Sequence, residues 1–498
     1  MTQIVIPGSI VTADPVTSEV TCTGGQAVVV EGGIITEVGP AGVIEARHPD
    51  IEPQRFPRAI LTPGFVNSHH HVGLTPFQLG VPDSSLETWI AARAAHPTLD
   101  LRLDTTYSAV QMLRSGVTTV QHVQGWHSTD VSDLTASARA VLDTYGEIGM
   151  RGSYSKMVRD QNLLIHDQDD ALLDRLPVEQ HDRFSAYLKG VRVPLAEQLA
   201  VFEELHTAYA DDPLLAVPLA PANFHWTSDD ALEQLGELSA RTGAPMHMHL
   251  LETIYQSMYM DRRAGAERVS YLARSGVLSD RLTLGHGTWL QDSDVEALAE
   301  AGAHVCHNCS SNFRLSSGRL PVHDLLDAGI NVAIGIDEAG INDDRDMLQE
   351  MRMVWTVNRE PGIARRRLTA EQVFTMATVG GARTTGYGSG HGTITTGAPA
   401  DLVLFDEDTL CHPFQLPGVS EVELIVQRSR SEAITDVMIG GAWVMSGSRL
   451  TTIDEEAFTA DVVDACASVD LDALAEDTRF AAALKDAVGG WFVEQYGL

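Results

Sequence analysis

Short apolar runs alternate with longer amphipathic segments along most of the chain from about residue 60 onward. The apolar runs have the length of strands, whereas the longer segments repeat apolar positions every three to four residues, as helices do. The predicted strands are 60–66, 117–123, 149–155, 214–219, 244–249, 282–286, 303–307 and 331–336. The predicted helices are 102–115, 133–146, 195–210, 229–242, 263–275, 292–301, 321–329 and 345–358. Eight strand–helix repeats predict an α/β fold, a parallel (β/α)8 barrel of the TIM type.

The two ends of the chain show other patterns. Short strands joined by turns begin the chain, and strand-like runs return at 400–405 and 434–445. We expect these runs to pair with each other in a small β-sandwich domain composed of both chain ends, followed by an amphipathic helical C-terminal extension. The predicted division is 1–62 (first part of the sandwich), 63–391 (barrel), 392–450 (second part of the sandwich) and 451–498 (helical extension).

Histidines and acids lie at the ends of four of the predicted barrel strands. His69 and His71 are two positions apart, so their side chains point the same way in an extended chain and can chelate one divalent metal ion. The other strand ends carry the clusters HMHLLE (247–252), LGHG (284–287) and GID (335–337). Because the C-terminal ends of the strands form the active face of such a barrel, the pattern predicts one site of imidazoles and carboxylates.

Longer segments around these clusters carry a family resemblance. They are PGFVNSHHH (63–71), HLLE (249–252), LGHG (284–287), HNCSSNFRLSSGRLPV (307–322), GID (335–337) and GTITTGAPADLVLFD (392–406). Together they resemble the metal-dependent amidohydrolase superfamily, in particular its cytosine/adenosine deaminase-like and s-triazine chlorohydrolase-like branch. The resemblance extends from about Ile4 to Val444, nearly the whole chain.

The resemblance implies a mononuclear metal centre. The implied ligands of one divalent metal ion per chain are His69, His71, His249 and Asp337. Zinc is the first expectation and iron the alternative, because three imidazoles and a carboxylate suit both. His247 also lies in a His-x-His pair, so either imidazole of that pair could be the ligand. The family places a glutamate three residues after its ligand, which favours His249 and leaves His247 as a packed or supporting histidine.

The implied catalytic residues are Glu252, His286 and Asp337. Asp337 would take a proton from the attacking water and pass it to the leaving group. His286 would hold the attacking oxygen, and Glu252 would protonate a ring nitrogen beside the carbon that is attacked. These roles favour an aminohydrolase that releases ammonia or an amine from a purine, pyrimidine, pterin or triazine. Hydrolysis of a cyclic amide, urea, carbamate, thiocarbamate or carbon–halogen bond is the alternative, and a non-catalytic metal-binding barrel is a third reading.

Five further residues are candidate substrate contacts: Trp126, His225, Ser310, Asn312 and Glu338. The aromatic rings of Trp126 and His225 would suit a flat ring, with loop packing as the alternative. Ser310 and Asn312 match a family segment near the substrate, with a structural role in a barrel loop as the alternative. Glu338 replaces a common glycine and could bind an amino-bearing or cationic substrate, or turn outward to an arginine.

Composition narrows the classes of partner that the protein is expected to bind. The formal net charge of −34 disfavours binding to nucleic acid and to an anionic membrane surface, so we expect a small-molecule substrate. No apolar run is long enough to cross a bilayer, and five scattered cysteines suit a cytoplasmic protein. We also expect a homo-oligomer, a dimer or a tetramer.

Overall fold

The computed structural model describes residues 2–97, 99–125, 131–338, 340–388 and 390–497. The strands are β1 (Thr2–Ala13), β2 (Val20–Gly24), β3 (Gln26–Glu31), β4 (Ile34–Pro40), β5 (Gln54–Pro63), β6 (Phe65–His70), β7 (Val117–Gln124), β8 (Arg151–Val158), β9 (Leu215–Ala216), β10 (Ala220–Pro221), β11 (Met246–Leu250), β12 (Leu282–His286), β13 (His304–His307), β14 (Asn331–Ile334), β15 (Leu402–Asp406), β16 (Ile434–Ile439), β17 (Ala442–Ser446) and β18 (Arg449–Leu450).

The α-helices are α1 (Ala41–Arg47), α2 (Leu86–Ala92), α3 (Leu101–Arg114), α4 (Val131–Ile148), α5 (His181–Val191), α6 (Leu195–Ala208), α7 (Asp229–Thr242), α8 (Ile254–Ala264), α9 (Asp292–Ala301), α10 (Cys309–Arg314), α11 (Val322–Asp327), α12 (Met347–Val357), α13 (Ala370–Ala377), α14 (Val379–Ala382), α15 (Glu407–Cys411), α16 (Glu421–Arg428), α17 (Glu455–Ala467) and α18 (Leu471–Tyr496). Short 3-10 helical segments are Arg93–Ala95, Asp169–Arg175, Val178–Gln180, Gly265–Ser275 and Ser431–Ala433.

Strands β6 to β14 form a closed parallel barrel. Two parallel sheets, β6-β7-β8-β10 and β11-β12-β13-β14, supply its halves, and β9 also pairs with β8. One seam between the halves is closed by the His247 N–H, which donates to the Leu219 carbonyl at 2.9 Å. The Asp337 N–H closes the other seam by donating to the carbonyl of His69 at 2.8 Å. The predicted (β/α)8 barrel is therefore confirmed.

Two predicted strands differ from those observed, and proline explains one of them. The predicted strand 214–219 is split into β9 and β10 around Pro218, which has no N–H for the ladder. The predicted strand 60–66 is divided as well, because residues up to Pro63 belong to β5 outside the barrel. Gly64 forms the junction, where a β-carbon would lie 2.0 Å from the hydroxyl of Thr118.

Both chain ends contribute to one nine-stranded sheet beside the barrel. Its order is β18-β17-β16-β15-β5-β1-β3-β4, with β2 paired to β1. Strand β5 joins the two ends, since it pairs parallel with β1 and antiparallel with β15. The observed arrangement is a single hydrogen-bonded sheet, whereas the sandwich arrangement and the domain boundaries stay predictions.

Helix α18 packs beside the mouth of the barrel. Its buried side chains, among them Leu484, Val488 and Trp491, share one apolar cluster with Ala91 of α2 and with Leu163 to Ile165. Tyr496 adds a hydrogen bond between its hydroxyl and Nδ1 of His166, at 2.8 Å. The helix thus supports segments that follow barrel strands. Within the described ranges, no helix combines the length and the apolar character needed to span a bilayer.

Candidate active site

Four side chains from three strand ends meet at one point of the barrel. Nε2 of His71 lies 3.0 Å from Nε2 of His69 and 3.2 Å from Nε2 of His249. Oδ1 of Asp337 lies 3.2 Å from Nε2 of His71 and 3.5 Å from Nε2 of His69. Ligand bonds of about 2.0–2.1 Å in a tetrahedral arrangement give ligand–ligand separations of about 3.3 Å. The four separations given are close to that spacing and support the predicted ligand set, which stays a prediction. His69 forms a metal-sized group with His71 and Asp337, and a second one with His249 and His286.

The hydrogen bonds behind two of the imidazoles test whether a cation fits here. Nδ1 of His71 donates to the carbonyl of Val123 at 2.5 Å, and Nδ1 of His249 donates to the carbonyl of Ala222 at 3.0 Å. A neutral imidazole has one N–H, so when both rings are neutral their Nε2 atoms present lone pairs to each other. Burial alone would lower the pKa of His71, but the contact with Asp337 raises it, so without a cation this ring gains a proton toward the carboxylate. Burial lowers the pKa of His249 well below its usual value, which keeps this ring neutral. Two facing lone pairs repel each other, and a shared cation removes that repulsion, so the donor set fits a metal.

The position of His247 favours a supporting role behind His69 over a place in the ligand set. Its Nε2 lies 2.6 Å from Nδ1 of His69. When Nε2 of His69 faces the cluster with its lone pair, Nδ1 of His69 carries the proton and donates it to His247. Hydrogen bonds of this kind fix the tautomer and the orientation of metal-binding histidines. Of the two readings of the His-x-His pair, the geometry therefore favours His249 as the ligand.

Asp337 occupies a strained backbone position. Its φ of 62° lies in the left-handed region, which is costly for a residue with a side chain. Gly335, two residues earlier, has no space for a side chain, because a β-carbon there would lie 2.5 Å from Cβ of His69. Burial alone would raise the pKa of Asp337, but contacts with His69 and His71 outweigh it and hold the pKa well below its usual value. The acid is thus held as a carboxylate against two ligand rings.

His286 lies between the two acids of the site. Its Nε2 is 3.7 Å from Oε2 of Glu252 and 3.8 Å from Oδ2 of Asp337. On the other side of the ring, Nδ1 donates to Oδ1 of Asn312 at 2.9 Å. Burial, together with the charge of Asp337, raises the pKa of Glu252 well above its usual value. The site therefore pairs a carboxylic acid with a carboxylate, and places an imidazole between them.

A cavity of about 320 Å³ opens onto these groups. His71, His249, Glu252, His286 and Asp337 form its polar floor. Its outer wall is largely apolar and aromatic, with Leu86, Trp89, Ile90, Leu99, Met157, Tyr187, Trp226 and Leu315 among its members. A polar floor beneath an apolar wall is typical of small-molecule sites.

The predicted substrate contacts have different outcomes. Glu338 lines the cavity, but its carboxylate also pairs with Arg93, with an Oε1–Nη2 distance of 2.9 Å. Asn312 contacts His286 and does not line the cavity. Ser310 is buried and does not line it either, and its N–H donates to Oε1 of Glu350 at 3.0 Å. His225 lies behind the wall, where its Nδ1 is 3.2 Å from Oδ1 of Asn223. Trp126 lies outside the described residues.

The sequence did not reveal most of the cavity wall. Trp89 and Arg93 come from the segment between β6 and α3, and Tyr187 comes from α5, which follows β8. The signal that could have found them is the length of these connections, because connections this long are uncommon in compact domains and usually functional.

Lys156 lies on β8 but donates to the Gly125 carbonyl and does not line the cavity.

Comparison with known proteins identifies the class. Residues 60–444 match the sequence model of the Amidohydrolase family. The chain belongs to this family and is a metal-dependent hydrolase, as the sequence predicted.

Individual relatives extend over most of the chain. It is 27% identical over 433 residues to the 5-methylthioadenosine/S-adenosylhomocysteine deaminase of Syntrophobacter fumaroxidans, which covers 86% of this chain and 90% of that protein. It is 27% identical over 448 residues to the 5'-deoxyadenosine deaminase of Methanosarcina barkeri, which covers 87% of this chain and 91% of that protein. The crystal structure of a zinc-bound adenosine deaminase from Xanthomonas campestris is similar with a TM-score of 0.77, at 26% identity, and covers 94% of this chain and 99% of that one.

The first prediction concerns the metal. We expect the purified protein to hold about one divalent ion per chain, and His69→Ala or His249→Ala to lose both the ion and the activity, because either change opens the ligand set. Metal analysis by mass spectrometry measures the content. His48→Ala is the control, since this histidine pairs with Glu37 and does not line the cavity. Two tightly held ions per chain, or full occupancy in both variants, would contradict the site.

Proposed function

We propose that this hydrolase deaminates an adenine nucleoside that carries no phosphate on its 5' carbon. The observation that carries the proposal is the position of Glu252, a buried acid beside His286 at the floor of a cavity with an apolar wall. A carboxylic acid there can protonate a ring nitrogen, which hydrolysis of an open amide or ester does not need. Two relatives named above are deaminases of 5'-modified adenosines, which supports the same substrate class.

The proton transfers follow from the positions of three side chains. A divalent metal held by the ligand set would supply Lewis-acid activation of the attacking water. Glu252 gives its proton to the ring nitrogen next to the amino-bearing carbon, which makes that carbon electrophilic. Asp337 accepts one proton of the attacking water and passes it to the amino group, which leaves as ammonia. His286, within 3.8 Å of both acids, returns the second water proton to Glu252, so that water and the amine give the oxo product and ammonia.

The charges of the cavity wall argue for a substrate without phosphate. Apart from imidazoles, Arg93 is the cationic side chain among the described residues of the cavity lining. Its guanidinium is already paired with Glu338, at 2.9 Å and 3.2 Å. A phosphate would have to displace this carboxylate from Arg93, whereas a hydroxyl or an apolar substituent meets no such repulsion.

The identity of the metal, the cellular location and the oligomeric state belong to the proposal too. Zinc is the ion we propose, supported by the donor set and by the zinc-bound adenosine deaminase named above. Five free thiols support a cytoplasmic location. Phe414 and Leu416, which are 71% and 69% exposed, support a homo-oligomer, a dimer or a tetramer, and the native mass measures this directly.

The second prediction concerns the substrate. Among adenosine, 5'-deoxyadenosine, 5'-methylthioadenosine, AMP, guanine, cytosine and an amino-triazine, we expect the fastest ammonia release from an unphosphorylated adenine nucleoside. AMP should have a kcat/KM at least about 100-fold lower, because its phosphate would compete with the Glu338 carboxylate for Arg93. An enzyme-coupled ammonia assay measures each rate. Preference for AMP, or for a base without ribose, would contradict the proposal.

The third prediction separates Glu252 from the metal ligands. Glu252→Gln should lower kcat by about 100-fold or more, because an amide is not an acid that can protonate the ring. The metal content should remain about one ion per chain, as measured on the same sample. Loss of the metal at unchanged thermal stability would place Glu252 among the ligands and contradict its assigned role.

The fourth prediction concerns Glu338. If its carboxylate accepts hydrogen bonds from the substrate, Glu338→Gln should lower kcat/KM for the best nucleoside by about 10–100-fold, since charge-assisted bonds contribute about 1.5–3 kcal/mol. The same change frees Arg93, so the ratio of kcat/KM for AMP to that for the nucleoside should rise.

Steady-state kinetics on both substrates measure the two effects of Glu338→Gln. Glu360→Gln is the matched control, because Glu360 also pairs with an arginine, Arg366, but does not line the cavity. Unchanged kcat/KM for every substrate that the natural protein accepts would make Glu338 structural only.

A further inference from the structure

One buried acid beside the active site has no part in the chemistry described so far. Glu87 lies in the first turn of α2 and is 8% exposed. It does not line the cavity, although Leu86, Trp89 and Ile90 of the same helix do. Its Oε2 is buried and has no hydrogen-bond partner among the described residues. A buried carboxyl group is costly, so its contacts should reveal what it does.

The contact that Glu87 makes leads to the catalytic acid. The hydroxyl of Thr253 donates to Oε1 of Glu87 at 2.5 Å. Thr253 directly follows Glu252 in the chain and caps α8, where its Oγ1 accepts from the N–H of Gln256 at 3.3 Å. A hydroxyl can donate one hydrogen bond, and Oε1 of Glu87 accepts the one from Thr253. The orientation of Thr253 is therefore fixed from both sides.

The backbone next to Glu252 needs such support. Leu251, the preceding residue, has a φ of 52°, in the left-handed region that is unfavourable for leucine. The N–H of Glu252 donates to Oε1 of Gln256 at 2.9 Å, and its carbonyl accepts from the hydroxyl of Thr288 at 2.6 Å. Gln256 and Thr288 follow the two neighbouring strands β11 and β12. Glu87 differs from them because it contacts this loop from α2, the helix that contributes Leu86, Trp89 and Ile90 to the wall of the cavity.

We propose that Glu87 is a positioning residue that holds Glu252 in place through the hydroxyl of Thr253 and so couples the substrate wall to the catalytic acid. The proposal rests on the role of Glu252 in the proposed function. Burial raises the pKa of Glu87 to about 7, and either of its protonation states leaves an oxygen that can accept the Thr253 hydroxyl. The effect of Glu87 should therefore appear in kcat, since a small misplacement of an acid slows proton transfer more than it weakens binding.

A double-mutant cycle tests this connection. Glu87→Leu keeps similar bulk without an acceptor, and Thr253→Val keeps the shape without a hydroxyl. Each change should lower kcat by about 10–100-fold with KM within about threefold of the natural protein. The double variant should be no slower than the slower single variant, because both changes break one hydrogen bond. Steady-state kinetics, metal content and thermal unfolding are measured for all three.

Conservative variants are the matched controls. Glu87→Gln keeps an acceptor oxygen and Thr253→Ser keeps the hydroxyl, so both should recover most of kcat. Multiplicative losses in the double variant, or a raised KM at unchanged kcat in Glu87→Leu, would overturn the proposal, as would equal losses in Thr253→Ser and Thr253→Val.

The substrate for the cycle is the heterocycle that the natural protein deaminates fastest. If that compound is not an adenine nucleoside, the proposed substrate class fails while the cycle still reports on Glu87. If it is an adenine nucleoside and the cycle shows no coupling, only the role of Glu87 fails.

Discussion

The hydrogen bond from the Asp337 N–H to the His69 carbonyl links closure of the barrel to the geometry of the site. It closes the barrel between its last and first strands, and it joins the backbones of two residues whose side chains meet at the metal site. The Ile336 N–H, which donates to Oδ1 of Asn67 at 3.0 Å, crosses the same seam. Opening the barrel at this seam would therefore also separate His69 from Asp337. The left-handed backbone of Asp337 is the cost of this arrangement, and metal binding would offset that cost.

The floor of the site could be predicted because its residues are tied to the strand period. His69 and His71 share a face through the two-residue repeat of a strand, and His249 and Asp337 stand at the ends of later strands. The barrel brings all such ends to one face, so order along the chain is sufficient to assemble them. The family resemblance then chose between His247 and His249, a choice that the hydrogen bonds of the two rings support.

The wall could not be predicted, since it depends on tertiary packing without a period. Leu86 and Trp89 come from α2, whose position is set by α18 near the other end of the sequence. Sequence reasoning placed Ser310 and Asn312 beside the substrate because they lie in a family segment. In the fold, the segment turns into α10, whose contacts go to Glu350 and His286. The break in the fourth strand has a different, local cause. It lies at Pro218, and the pattern of apolar residues alone does not reveal it.

The division between floor and wall also separates chemistry from selectivity. The floor needs one protonated and one ionised acid. Burial favours the protonated form of Glu252, whereas contacts with His69 and His71 outweigh burial and hold Asp337 ionised. In the wall, the guanidinium of Arg93 is neutralised by its ion pair with Glu338. Since Glu338 directly follows Asp337, one loop carries both functions, and a change in the wall can alter which substituents are accepted while the ligand set stays intact. Helix α18 packs against α2 from outside, and none of its described residues lines the cavity, so it can influence the wall only through the position of α2.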